Sequence, residues 1–152
     1  MKTVFLWSLL MTSLLALQGQ SKFQPPLNQH PSDKPFLFSQ LPEKFSVPAA
    51  ALQSIFSANN NSGIRVFLSE RLHIEGVVTA RRAIGPDQLS INIRCTNYQD
   101  ALLNLSRITG ADGTYSYIGR MVSLRHGDVL LLWADKGQYS FVRQKQLLAM
   151  VE

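Results

Sequence analysis

Residues 89–95 read Leu-Ser-Ile-Asn-Ile-Arg-Cys, with an apolar side chain at every second position. Successive side chains of a strand point to opposite faces of its sheet, so this alternation predicts a strand that is buried on one face. The buried face consists of Leu89, Ile91, Ile93 and Cys95. This is the cleanest strand pattern in the chain, and the neighbouring segments are interpreted around it.

Three further strands and a helix are predicted before this strand. Phe45 and Val47 alternate with polar residues, the inward Ile64, Val66 and Leu68 alternate with Arg65 and Phe67, and residues 76–80 are a weaker strand candidate. Between the first two, Leu52, Ile55 and Phe56 have the i, i+3, i+4 spacing of one helical face, just after Pro48. The Asn- and Gly-rich residues 59–63 are expected to end this helix.

A second helix is predicted after the strand. Asn97 is a suitable N-cap, Asp100 completes a short capping box, and Gly110 follows as a terminator. The apolar stripe of this helix would be Tyr98, Ala101, Leu102, Leu105 and Ile108. A hairpin would follow, with Gly119-Arg120 as its two-residue turn and with Tyr117 and Val122 on its buried face.

These elements predict an α+β fold with two helices packed with two small β-sheets, in the order βαβ-ββαββ. We divide the chain into a signal peptide (1–19), a Pro/Gln-rich flexible tether (20–42), the module itself (43–126) and a C-terminal extension (127–152). The extension is interpreted as a second hairpin, and residues 144–151 after it are a candidate helix. Phe36-Leu37-Phe38 interrupts the tether and is expected to dock onto the module.

The first residues indicate export. Lys2 precedes an apolar run over 4–17, which is too short to span a bilayer stably, and polar residues follow it. No stable transmembrane span is expected in the mature chain. The single Cys95 leaves the fold without an internal disulfide, which suits a bacterial periplasm better than a harsh extracellular setting.

Several motifs follow one another in a characteristic order: Phe45-Ser46-Val47-Pro48-Ala49, Gly63-Ile64-Arg65-Val66, Tyr98-Gln99-Asp100-Ala101-Leu102 with Leu105, Thr109-Gly110 and Val122-Ser123-Leu124. In this order and spacing they resemble the secretin and TonB N-terminus short domain. The resemblance spans about 80 of the 152 residues, and each motif alone is weak. It implies a periplasmic protein–protein interaction module with two helices between two small sheets. The segment 70–88 is longer than in that family, and we expect the domain here without the secretin pore or the receptor barrel.

Catalysis and cofactors are not indicated by the sequence. Cys95 continues an inward-facing row, and His30, His73 and His126 lack the spacing of metal ligands. We therefore predict no enzyme, no metal and no cofactor. The net charge is +5, but the basic residues are scattered, so no nucleic-acid partner is predicted either.

Outward-facing residues of the predicted strands are the candidate partner-binding site. They are Phe67 and Arg65 on the second strand, and Ile118 and Met121 beside the predicted hairpin turn. A partner strand could add to an exposed sheet edge here. An equally weighted alternative is that the tether's Phe36-Leu37-Phe38 or the C-terminal hairpin covers them.

The predicted function is therefore a docking module of a cell-envelope transport or signalling system, located in the periplasm, either free or associated with the outer membrane. Its partners would be envelope proteins such as a secretin, a TonB-dependent receptor or an inner-membrane regulator. Two alternatives stay open: a small secreted enzyme or ligand-binding protein with a similar order of elements, and a fragment of a larger envelope machine.

Overall fold

The computed structural model describes residues 34–145, which form one eight-stranded antiparallel sheet. Strands make up 54% of these residues and helix 9%. The elements are β1 (Lys44–Val47), α1 (Ala49–Ile55), β2 (Gly63–Phe67), β3 (His73–Ala83), β4 (Gln88–Cys95), β5 (Ala101–Thr109), β6 (Tyr115–Val122), β7 (Asp128–Asp135) and β8 (Gln138–Lys145). The predicted signal peptide, the first part of the tether and residues 146–152 lie outside the described residues.

The order of the strands in the sheet is β1-β8-β7-β6-β5-β4-β3-β2. Strands β2 to β8 thus follow one another as a meander, and β1 pairs with the last of them. The sheet curls, and α1 packs on its inner face through Leu52 and Ile55, both fully buried. A single core forms there, and every central strand contributes alternate side chains to it.

The last part of the tether is anchored to the sheet. Phe38 is only 1% exposed and joins the core. The N–H groups of Leu37 and Phe38 donate to the two carboxylate oxygens of buried Asp128, at 2.8 and 2.9 Å. Arg143 Nη1 donates to the carbonyl of Phe38 at 3.0 Å. The predicted docking of Phe36-Leu37-Phe38 is confirmed for Leu37 and Phe38, whereas Phe36 stays 47% exposed.

Most of the predicted strands are confirmed. The segments predicted around Phe45, over 64–68, over 76–80 and over 89–95 correspond to β1, β2, β3 and β4. The helix after Pro48 is also confirmed, although it already ends at Ile55. The hairpin predicted after residue 127 is formed by β7 and β8, which pair with β6 and β1 in the same sheet.

The predicted second helix is wrong, because residues 101–109 form strand β5. The apolar residues of this segment fit both the spacing of a helix and the alternation of a strand. The structure follows the alternation, since Leu103 and Leu105 are fully buried, whereas Leu102 is 38% exposed. Gln99 and Asp100 have φ of 50° and 61°, so the chain reverses at the residues expected to start the helix. Hydrogen bonding to β4 on one side and β6 on the other outweighs the local helical pattern.

The hairpin turn predicted at Gly119-Arg120 is also wrong, since both residues lie inside β6. Gly119 faces Leu105 of β5, and a Cβ atom at this position would lie 2.4 Å from the carbonyl oxygen of Asn104. The glycine therefore allows close approach of two strands. Because β6 continues through this point, Met121 points inward and is fully buried, and Val122 takes the opposite face.

The predicted α+β class, with two helices packed with two small β-sheets, is consequently corrected to a mostly β architecture. One continuous curled sheet replaces the two small sheets, and one α-helix is present in the described part of the chain. The architecture implied by the family resemblance is therefore not the one that this chain has. Within residues 34–145, no helix combines the length and the apolar character that crossing a membrane requires.

Candidate docking site at the free strand edges

Within residues 34–145 the curled sheet has two free edges, β1 and β2, because no strand of this part of the chain joins these two ends of the strand order. Each edge strand is hydrogen-bonded on one side only, β1 to β8 and β2 to β3. Edge strands present main-chain donors and acceptors that can pair with another chain. The two edges are therefore the candidate partner sites of the sheet.

The free main-chain groups of β2 follow from its register with β3. The N–H of Leu68 donates to the carbonyl of Leu72 at 2.8 Å, and that of Val78 donates to the carbonyl of Ser62 at 3.0 Å. Hydrogen-bonded and non-hydrogen-bonded pairs alternate along an antiparallel ladder. The even-numbered residues of β2 thus bond to β3, and Gly63, Arg65 and Phe67 direct their N–H and C=O groups to the free edge.

The same reasoning identifies the free groups of β1. The N–H of Arg143 in β8 donates to the carbonyl of Glu43 at 2.8 Å, so Glu43 belongs to a hydrogen-bonded pair. The alternation then places Lys44 and Ser46 with their N–H and C=O groups turned away from β8. Pro48 follows directly and has no N–H, which limits this edge to two residues with free donors.

A cavity of about 710 Å³ lies between β1 and the residues that follow β2. Its walls come from the segment 42–49, from 69–71 and from the turn between β7 and β8 at 137–139. The main apolar contributions are Pro42, Phe45, Val47, Pro48 and Tyr139, and the charged ones are Glu70 and Arg71. The segment that follows β2 therefore lines this cavity from Ser69 onward.

Two of the predicted partner-binding side chains lie together on β2. Phe67 is 67% exposed, and its ring stacks on His73 of β3 with 5.5 Å between ring centroids. Arg65 has an exposed side chain whose Nη2 lies 2.7 Å from Oε1 of Glu75. A large apolar ring and an ion pair thus flank a row of free main-chain groups.

The other two predicted residues do not belong to this site. Ile118 is 50% exposed but lies on β6, four strands from β2, which corresponds to about 19 Å at the usual strand spacing. Met121 is fully buried and belongs to the core, so its prediction as a surface residue is wrong. Sequence reasoning also missed the edge of β1, although a four-residue strand that ends before a proline is a typical sign of one.

Cys95 and the pair of Ser123 and His126 resemble catalytic groups, but their contacts serve the fold. Burial raises the pKa of the Cys95 thiol to about 12, against the opposing effect of a hydrogen bond from the Leu103 backbone. Ser123 Oγ lies 2.8 Å from His126 Nδ1, yet both residues are buried, and the Oγ also accepts a hydrogen bond from the N–H of Arg125. This pair therefore stabilises the turn between β6 and β7. In the part of the chain that the structure describes, no three His, Cys, Asp or Glu residues are grouped as metal ligands.

No family model matches the chain, and no curated protein or solved structure is significantly similar to it. A function for this chain therefore has to follow from the free edges, the cavity and the exposed side chains described above.

Proposed function

We propose that this chain is a periplasmic protein-interaction module of a cell-envelope transport or signalling system, which docks a partner and performs no catalysis itself. An extended segment of the partner pairs with the free edge of β2. The partner is an envelope protein. The family resemblance implies a secretin, a TonB-dependent receptor or an inner-membrane regulator as this partner.

The observation that carries this proposal is the free edge of β2 with exposed Phe67 at its end. Three residues offer unpaired main-chain groups along the same line, and main-chain pairing supplies much of the affinity when a strand is added to a sheet. Proteins commonly protect such an edge with a proline, a lysine or a covering segment. The sequence of β2, Gly-Ile-Arg-Val-Phe, contains neither proline nor lysine.

The side chains at this edge supply the selectivity. Phe67 leaves two thirds of its surface in water, and covering it with a partner side chain would contribute about 1.5 kcal/mol or more. The cavity lined by the segment that follows β2 has apolar walls that can receive a further side chain. The pairing of Arg65 with Glu75 leaves this part of the surface without an excess charge.

A proline substitution at Arg65 tests the main-chain part of the proposal. The N–H of Arg65 points to the free edge, so Arg65→Pro removes a donor that β3 does not use. We expect the variant to fold with a melting temperature within a few degrees of that of the original chain. The matched control is Val66→Pro, which removes an N–H bonded to β3 and should destabilise the protein clearly.

Partner capture is measured by placing a photo-crosslinking residue at position 67 in the exported protein in cells. A control protein carries the crosslinking residue in place of Leu124, which is 83% exposed and lies in the turn after β6. A specific adduct should form from position 67 only, and Arg65→Pro in the same chain should abolish it. An adduct that survives Arg65→Pro in a folded protein would exclude strand addition at β2.

A further inference from the structure

A second cluster of unusual side chains lies around the C-terminal end of α1. Arg107 of β5 has its guanidinium carbon 4.4 Å from the centroid of the Tyr115 ring and 5.5 Å from that of Phe56. Phe56, the residue after α1, also packs against Tyr117 with 5.8 Å between ring centroids. Contacts with the faces of two aromatic rings hold the guanidinium in place and leave its charge uncompensated.

Among the residues that the structure describes, Arg107 has no ion-pair partner. Its Nε atom is buried and has no hydrogen-bond partner, which is costly for a charged group. The ion pairs found among residues 34–145 are Arg65–Glu75 and His73–Glu75, so no carboxylate of that part of the chain lies within 4.0 Å of Arg107. The guanidinium of Arg107 is thus without a neutralising carboxylate in this part of the chain, and an anion bound to it would supply the missing charge.

A second arginine contacts the same aromatic residue, Phe56. Arg81 of β3 donates from Nη2 to the carbonyl of Phe56 at 3.3 Å, and it forms no ion pair within the described residues either. Both guanidinium groups therefore contact Phe56, one at its carbonyl and the other at its ring. Arg81 is exposed, so the cluster is open to solvent on this side.

We infer that this cluster, formed by Arg81, Arg107, Phe56 and Tyr115, binds a phosphate group. A guanidinium presents several N–H donors in a plane that matches the oxygens of a phosphate. Two positive groups without a nearby carboxylate suit an anion of charge close to −2, as a phosphate monoester has at neutral pH. A single carboxylate would neutralise only one of them. This inference is independent of the docking proposed at β2, which lies at a different place on the sheet.

The phosphate group has two potential sources, a small molecule in solution or a phospholipid headgroup. Titration calorimetry with inorganic phosphate tests the first, with sodium chloride of equal ionic strength as the reference. Flotation with phosphatidylcholine vesicles that contain phosphatidic acid tests the second. Binding of inorganic phosphate alone would assign the site to a soluble ligand, and binding to the vesicles with the same arginine dependence would assign it to a lipid headgroup.

Two variants and one control locate the site. Arg107→Gln should weaken phosphate binding at least tenfold, and Arg81→Gln should weaken it too without affecting the fold, because Arg81 is exposed. Arg94→Gln removes an exposed arginine of β4 elsewhere and should leave the affinity unchanged. The inference fails if neither inorganic phosphate nor the vesicles bind with a dissociation constant below about 10 mM. It also fails if binding is the same in Arg81→Gln and in the original chain.

Discussion

Asp128 should be the polar side chain on which the anchoring of the tether depends most. Asp128 is only 2% exposed, and its two carboxylate oxygens accept hydrogen bonds from the N–H groups of Leu37 and Phe38. A hydrogen bond to a charged group contributes about 1.5–3 kcal/mol. Replacing Asp128 by alanine removes both acceptors, so we expect a loss of about 3–6 kcal/mol in the free energy of unfolding.

The packing of Phe38 adds to this effect. If residues 34–41 detach, the buried ring is exposed, which corresponds to about 1.5–3 kcal/mol for a fully buried large apolar side chain. For a domain of this size, a loss of 3 kcal/mol lowers the melting temperature by about 10 °C or more. Urea denaturation followed by circular dichroism measures the free energy, and hydrogen exchange at the amides of Leu37 and Phe38 reports the anchoring directly.

The matched control is Asp135→Ala at the other end of β7. This aspartate is exposed, so removing the same charge there should change the free energy of unfolding by less than about 0.5 kcal/mol. Asp128→Asn keeps one acceptor oxygen and should fall between the original chain and Asp128→Ala. A shift of about 3 °C in melting temperature corresponds to less than about 1 kcal/mol. The reasoning is therefore refuted if Asp128→Ala melts within about 3 °C of the original chain and the amides of Leu37 and Phe38 stay protected from exchange.

Two other perturbations test the buried face of the sheet. Leu103→Ala should lower the free energy of unfolding by about 2–5 kcal/mol, because Leu103 is fully buried. Leu102→Ala should lower it by less than about 1 kcal/mol, because Leu102 is 38% exposed. Urea denaturation measures both, and the reverse order would favour a helix over residues 98–108. Alkaline pH should destabilise the protein through Cys95, whose pKa in the folded state is raised to about 12 by burial. The folded state keeps this proton while the unfolded state loses it, so the stabilisation is complete below about pH 9 and falls as the pH rises toward 12, by about 1.4 kcal/mol at pH 10. Urea denaturation at pH 7 and pH 10 should show this extra loss in the original chain and not in Cys95→Ala, and equal losses in both would contradict it.

The segment 98–108 shows where sequence reasoning reaches its limit. Its apolar residues satisfy a helical period through Leu102 and Leu105 and a strand period through Leu103 and Leu105. A local pattern cannot choose between the two, because the decision depends on whether strands are available for pairing on both sides. β4 and β6 provide them, and β6 was obscured by interpreting Gly119 as a turn residue. The two errors therefore have one origin.

The candidate docking site was predicted only in part for a related reason. The exposure of Phe67 and Arg65 follows from the alternation along one strand, which is local information and was recognised from the sequence. That β2 is an edge strand depends on the order of all eight strands, and that order is set by pairings distant in the sequence. Met121 was misplaced because a false turn shifts which residues of a hairpin share a face.

The distribution of stabilising contacts around the sheet supports β2 as the docking strand. β1 is reinforced by the tether segment, which is anchored next to it by Asp128 and Arg143. β2 has five residues, pairs only with β3 among the strands of residues 34–145, and receives packing from α1. Strands with one hydrogen-bonded neighbour open locally at lower free energy than central strands. A partner that pairs with Gly63, Arg65 and Phe67 would give β2 the second neighbour that it lacks, so docking and local stabilisation of this edge would be the same event.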